Sequence, residues 1–260
     1  VAYRLRTNKS VEKSVRKIAR EQIDRAISEI NDQELDRHEA VHQVRKRCKK
    51  IRGLIRLVRP RFEPAYDREN AWYRDSARRL SYIRDAHSII EAFDKLMVHF
   101  EGQVDSDAFL PIHRQLVERR KKVAGDEVGL HERLDEFLDR MRQGRERVAG
   151  WRLNDDGFAA VKGGLAKTYA RTRLAMEEAY SNPSSGHFHQ WRKRAKYHRY
   201  HMRLLQPVWE EPMEAWRDAA SLLSDYLGDD HDLSVLRKTL LDAPHQFGSE
   251  HTIQAAVGLI

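Results

Sequence analysis

HQVRKRCKKIRGLIRLVRP, residues 42–60, recurs as HQWRKRAKYHRYHMRLLQP, residues 189–207, at a constant offset of 147. Ten of the 19 positions are identical. Unrelated sequences would share about one, so the chain carries an internal repeat. The shared residues are His42, Gln43, Arg45, Lys46, Arg47, Lys49, Arg52, Arg56, Leu57 and Pro60. Their counterparts are His189, Gln190, Arg192, Lys193, Arg194, Lys196, Arg199, Arg203, Leu204 and Pro207. A repeat kept for packing alone would keep its apolar positions. Here Val44 gives way to Trp191 and Ile51 to His198, so what repeats is a charge pattern.

The spacing says where those charges sit. His42, Arg45, Lys49, Arg52, Arg56 and Arg59 follow a 3-4-3-4-3 rhythm and fall on one narrow stripe of a helix. Val44, Cys48, Ile51, Ile55 and Val58 make a second stripe, about a third of a turn away. A helix docked by the apolar stripe holds the cations at the margin of the core. Like charges at i,i+4 repel, and nothing in helix propensity calls for them. A solvated face is the ordinary explanation, but such a face tolerates drift, and these positions did not drift between copies. The stripe therefore reads as an anion-binding surface. Arg offers bidentate forks for phosphate oxygens, Lys a point charge, and His a charge tunable near neutrality. The helix before each seam adds candidates: Arg16 and Arg20 in the first half, Lys167 and Arg171 in the second. Reading bases would need side chains aimed at base edges or stacked on them. Trp191 and Tyr197 are aromatic candidates of that kind within the seam, and Trp191 lies on the apolar stripe. The pattern favours a backbone-like polyanion without bases.

Composition agrees. The 260 residues include 48 Lys and Arg against 40 Asp and Glu, a net charge of +8 and a pI near 9.6. The excess matters only where it is focused, and a focused basic patch implies a polyanionic partner. No apolar run approaches the length of a membrane span. One cysteine, Cys48, excludes an internal disulfide and suits a reducing compartment, so a cytoplasmic location is expected.

Helical periodicity runs throughout. Helices are expected over 11–30, about 35–59, 67–100 with a break near 84–87, 110–123, 130–148, 158–180, 188–206, 213–227, 233–241 and from 251 onward. Pro60 and Pro207 stop the two seam helices, and Asn154, Asp155 and Asp156 read as an N-cap cluster. A second repeated block, Trp72 and residues 82–87 against Trp216 and residues 226–231, recurs at an offset of 144. The expected architecture is all-α: two pseudo-symmetric antiparallel bundles of about four helices each. Residues 1–150 form the first repeat and 151–260 the second, which reads as C-terminally incomplete. The two together make one domain with a basic groove or pore.

These residues resemble the CHAD family, the conserved histidine α-helical domain. The paired His-x-x-Arg-Lys-x-x-Lys helices carry the resemblance, at His42-Arg45-Lys46-Lys49 and His189-Arg192-Lys193-Lys196. Arg84-Asp85-Ala86-His87, residues 227–233 and Tyr169-x-Arg171-x-Arg173 also fit. The resemblance implies inorganic polyphosphate bound between two related halves, and association with polyphosphate granules. It implies binding without catalysis and without a cofactor. Many members are joined to a triphosphate-tunnel domain with a Glu-x-Glu-x-Lys motif, and these 260 residues contain no such motif.

Other readings were weighed against this one. A helical nucleic-acid-binding protein would use the same cations for phosphates. Asp229-Asp230-His231-Asp232 invites a metal-dependent phosphohydrolase, but the first copy has only Asp85 and His87, and these acids read better as partners of seam arginines. Glu39-x-x-His42 matches half of a di-iron pattern, yet Gly186 replaces the glutamate in the second copy. His198 and His201 extend the cationic helix and are expected to strengthen anion binding at mildly acid pH. Arg145 and Arg147 read as plain surface charges.

Overall fold

The computed structural model describes residues 3–124 and 127–260, with the side chains of all but residues 38, 82–85, 123, 124, 127 and 128. The described residues form ten α-helices and no strand. These are α1 (Val11–Asn31), α2 (Arg37–Leu57), α3 (Ala65–Arg78), α4 (Ser81–His99), α5 (Leu110–Ala124), α6 (Glu127–Val148), α7 (Gly157–Ser181), α8 (Ser185–Leu205), α9 (Glu210–Asp242) and α10 (Glu250–Leu259). The seam helices are α2 and α8. Each ends in a short 3-10 turn that carries its proline, Pro60 or Pro207. The missing proline N–H and the fixed φ stop the α-helix there.

Local chemistry sets several starts. Ser10, Ser184 and Ser249 accept hydrogen bonds from the backbone N–H groups of Lys13, His187 and Thr252, each three residues on. These bonds satisfy donors that a helix N-terminus leaves open. Asp156 stands at the N-cap of α7 as expected, but its carboxylate is used elsewhere. It accepts the Val11 N–H at 2.6 Å. Glu12 accepts the Leu153 N–H at 2.9 Å, and Asp155 pairs with Arg61 at 2.8 Å. The acidic cluster therefore ties the start of α7 to the start of α1 and the end of α2.

The apolar stripe of α2 is wholly buried: Val44, Cys48, Ile51, Ile55 and Val58 have no exposed surface. They join a core built from α1, α2, α3 and α6, with contributions from α7 and α8. A second cluster joins α4 and α5 to α9 and α10. Apolar packing thus crosses the sequence boundary at residue 150. Helix α2 touches α1, α3, α4, α7 and α8, more of the chain than its position suggests.

Two breaks fall elsewhere than expected. The long helix over 67–100 divides at Arg79 and Leu80, not near 84–87; Leu80 is fully buried at the joint. In the second half, Gly228-Asp229-Asp230 does not interrupt the chain, and α9 runs unbroken for 33 residues. Gly228 faces the Arg192 side chain. A Cβ at this position would lie 2.9 Å from the Arg192 guanidinium of α8. Arg147 is also no plain surface charge. It holds the fully buried Glu69 carboxylate at 2.9 Å, and with Arg140 it brackets the Trp72 ring, their guanidinium carbons 4.0 and 3.9 Å from the ring centre. Trp216, the counterpart of Trp72, is instead 55% exposed beside Met202, Met213 and Trp209.

Helix α7 lies directly on the end of α2. A Cβ on Gly164 would stand 2.0 Å from the Leu57 carbonyl oxygen and 2.5 Å from that of Arg56. Backbone cannot yield as a side chain can. Gly164→Ala is therefore expected to cost about 1–3 kcal/mol by forced displacement of α7. Gly258→Ala, which meets open space in α10, leaves stability unchanged or slightly higher. Chemical denaturation of the two variants measures the contrast.

Candidate functional site

The cations of α2 and α8 converge where the helices cross. His201 Nε2 donates to the Gly53 carbonyl at 3.0 Å, and Tyr3 Oη donates to the Lys50 carbonyl at 2.6 Å. The first joins α8 to α2 at the crossing, and the second ties the N-terminal segment to α2. Lys196 lies largely buried there. Burial first, then the charges of Arg192, Lys49 and Arg199, push its ammonium down to about 7. Lys49 comes from the first copy and the other three residues from the second, so the two seams meet in one patch.

Neutral groups hold several of these cations. Arg52 Nε and Arg56 Nη2 both donate to Asn70 Oδ1 at 3.2 Å. Arg199 Nη1 donates to Ser221 Oγ at 2.9 Å, and Arg45 Nη1 to the Ala77 carbonyl at 3.0 Å. The Arg56 guanidinium sits 4.3 Å from the centre of the Tyr197 ring. For Arg52, Arg56 and Arg199 such partners fix direction while leaving net positive charge in place. Arg192 differs: Asp232 stands 3.6 Å away, as the reading of these acids as seam partners expected. The neighbouring Asp229 pairs with Lys95 of α4 at 3.0 Å.

Lys167 and Arg171 of α7 join Arg56, Arg59 and Arg194 around a small cleft beside Tyr66 and Tyr197. Arg194 has its proton affinity lowered, by burial first and then by Arg171 and Arg56. Lys193 is lowered mainly by burial, and Lys46 is exposed. Arg203 lies toward the other end of α8, lowered by burial, Arg217 and Arg4. The first-half counterpart of Arg194, Arg47, is neutralised: Arg47 Nε meets Glu29 at 3.1 Å.

Some candidates lie apart. Arg16 is 3.0 Å from Glu12 and reaches the Ala149 carbonyl, on the side of α1 facing the chain after α6. Arg20 is exposed on α1. The histidines need correction. His201 is fully buried and burial pushes it down to about 3, while His198 is buried and lowered for the same reason. Both are core residues; His201 stays neutral at mildly acid pH, and burial disfavours the charged form of His198. His189 stacks on His231, ring centres 3.9 Å apart, and burial with the His231 and Lys193 charges pushes it down to about 4. It stays neutral at pH 7, so the second seam opens on a hydrogen-bonding ring and not on a charge. Arg84 and Asp85 lie outside the described side chains. Among the described residues, no group of three or more His, Cys, Asp or Glu could hold a metal ion, and no helix is long and apolar enough to cross a membrane.

Sequence reasoning missed Asn70, Tyr66, Gly164 and Gly228. The first two are polar or aromatic residues whose only signal is spatial. The glycines carry no side chain for a pattern to register, and both stand at a close approach between helices.

An all-helical domain with a two-copy cationic seam is the class that fold and site define. The chain belongs to the CHAD domain family, which matches residues 17–241. Among solved structures, the CHAD domain from the plant Ricinus communis shares the fold, with a TM-score of 0.66 and 16% identity, over 99% of this chain and 88% of that one. No curated protein sequence matches the chain.

The depressed lysine has a consequence for stability. Lys196 is protonated below about pH 7 when folded, whereas an unfolded lysine holds its proton to about 10.4. Between these values the unfolded state binds more protons, so this group makes stability rise with pH from about 7 to about 10.4. Below pH 7 the buried charge is carried in full. Lys196→Met is expected to remove this rise and to raise stability at pH 6, measured by denaturant titration across the pH range.

Proposed function

We propose that this protein binds inorganic polyphosphate, or a closely similar phosphate-rich polyanion, along the cationic face shared by α2 and α8, without catalysing a reaction. One observation carries the reading. Lys196 is buried among Arg192, Lys49 and Arg199, a gathering of like charge from both copies of the repeat that costs folding energy. Holding Arg52, Arg56 and Arg199 by neutral acceptors leaves that charge available to a ligand. A polyanion would add to the counter-charge of Asp232, which faces Arg192 and Lys196, at several points at once, with affinity that falls steeply with salt.

Nucleic acid is the second reading, since its phosphates would meet the same cations. What favours the simpler polymer is the lack of a stacking platform on the seam. Trp191 is buried, and the Tyr197 face is occupied by Arg56. Bases would add bulk without adding contacts. Association with polyphosphate granules belongs to the same proposal and would follow from the affinity itself.

Lys49→Ala with Lys196→Ala is expected to weaken polyphosphate binding by at least about tenfold, the scale of losing two charge-assisted contacts. Arg237→Ala with Lys238→Ala, both exposed on α9, should change it little. Equal losses from the two pairs would remove the seam from the site. Efficient displacement of polyphosphate by RNA or DNA at physiological salt would favour the second reading. Phosphate release dependent on added divalent metal would show catalysis. Binding above pH 7 should take up a proton, because a bound anion raises Lys196 back toward its ordinary value. Calorimetric heats at pH 8 in buffers of different ionisation enthalpy measure this uptake, which Lys196→Met should abolish.

A further inference from the structure

The cleft between the end of α2, α7 and α8 has features that the open seam lacks. Arg56, Arg59, Lys167, Arg171 and Arg194 surround it, and no carboxylate is among its lining residues. Tyr197 and Tyr66 hold Arg56 and Arg59 by their ring faces, at 4.3 and 4.4 Å. The Arg56 Nε is buried and donates to nothing in the protein. The cleft is also closed on one side. Gly164 brings α7 against the Leu57 carbonyl so tightly that no strand can pass between the helices. Its free space is about 20 Å³, by a measure in which one water takes ~10–15 Å³. That is room for about one or two oxygen-sized atoms of a ligand whose remainder stays at the mouth; a running polymer does not pass through.

We infer that this cleft takes the terminal phosphate of the bound polyanion, so that chains are held by an end and laid along the seam from there. The inference rests on the polyanion reading above and adds to it the part of the ligand that is recognised. A terminal phosphate carries nearly two negative charges at pH 7 and three acceptor oxygens. An internal unit carries one charge and two free oxygens. Five cations around a blind cleft match the former, and forked guanidinium donors suit its several oxygens. Arg56 belongs to both cleft and seam. Its charge lies close enough to Arg52 to lower that group, after burial and the opposing effect of Tyr197. A chain anchored at Arg56 would therefore continue past Arg52 toward Lys49 and Lys196.

Linear tripolyphosphate and cyclic hexametaphosphate separate the possibilities, because the ring carries at least as much charge and has no end. Calorimetry at fixed salt is expected to give the linear chain at least about tenfold tighter binding, and Lys167→Ala with Arg171→Ala should collapse that ratio toward one. Equal binding of ring and chain to the unaltered protein would overturn the end-binding cleft and leave polyanion binding standing. Binding of neither would overturn the seam reading itself. Glycerol phosphate tests the source of the terminal group. Binding as tight as that of tripolyphosphate would assign the cleft to small phosphomonoesters and overturn its assignment to a polymer end.

Discussion

Everything in the structure depends on how α2 is docked. Its apolar stripe, from Val44 to Val58, is completely removed from water, and burial of five such side chains supplies several kcal/mol at about 1.5–3 kcal/mol each. Once that stripe is fixed, the cationic stripe a third of a turn away has no freedom to turn outward. It must lie at the edge of the core, where α8 brings its own copy. The Gly53 carbonyl and His201 then lock the two helices at one crossing. The core therefore carries the electrostatic cost of the seam, because only strong packing can hold so many like charges half-buried.

How the charges are held decides what they can do. A carboxylate partner would stabilise each arginine and cancel it. Asn70, Ser221 and the Tyr197 ring orient their arginines without cancelling them. Arg47 shows the alternative within the same repeat, since Glu29 neutralises it, while its counterpart Arg194 opens onto the α7 cleft. Equivalent residues thus have unequal settings. The charge pattern repeats in sequence, and the surroundings of each copy decide which cations remain available.

The seam was legible in sequence because it obeys two simple periods: that of the helix, which separates the apolar and cationic stripes, and that of the repeat, which separates kept from drifting positions. The helices and their stops at Pro60 and Pro207 were legible for the same reason. The unbroken α9 was not. Gly228-Asp229-Asp230 has the composition of a turn, and only the Arg192 side chain packed against it explains the glycine. His198 and His201 misled in the opposite way. They stand among cations in sequence, but the helix turns them into the core, where burial disfavours their charged forms. Local sequence gives a residue's angle around its own helix. It does not say which neighbour will arrive on that side.

That limit explains why the α7 cleft is a property of three dimensions. Arg56 comes from α2 and Arg59 from the turn that ends it, Lys167 and Arg171 from α7, and Arg194 from α8; no spacing rule links the three groups. Contact between Gly164 and the Leu57 carbonyl brings them together, and that contact exists because α7 carries no side chain where it meets the end of α2. A glycine that weakens its own helix by about 1 kcal/mol relative to alanine is then part of how a cationic cleft is built. The local cost is small beside the repulsion that packing must already hold in check. It concentrates charge from three helices at the end of a seam formed by two.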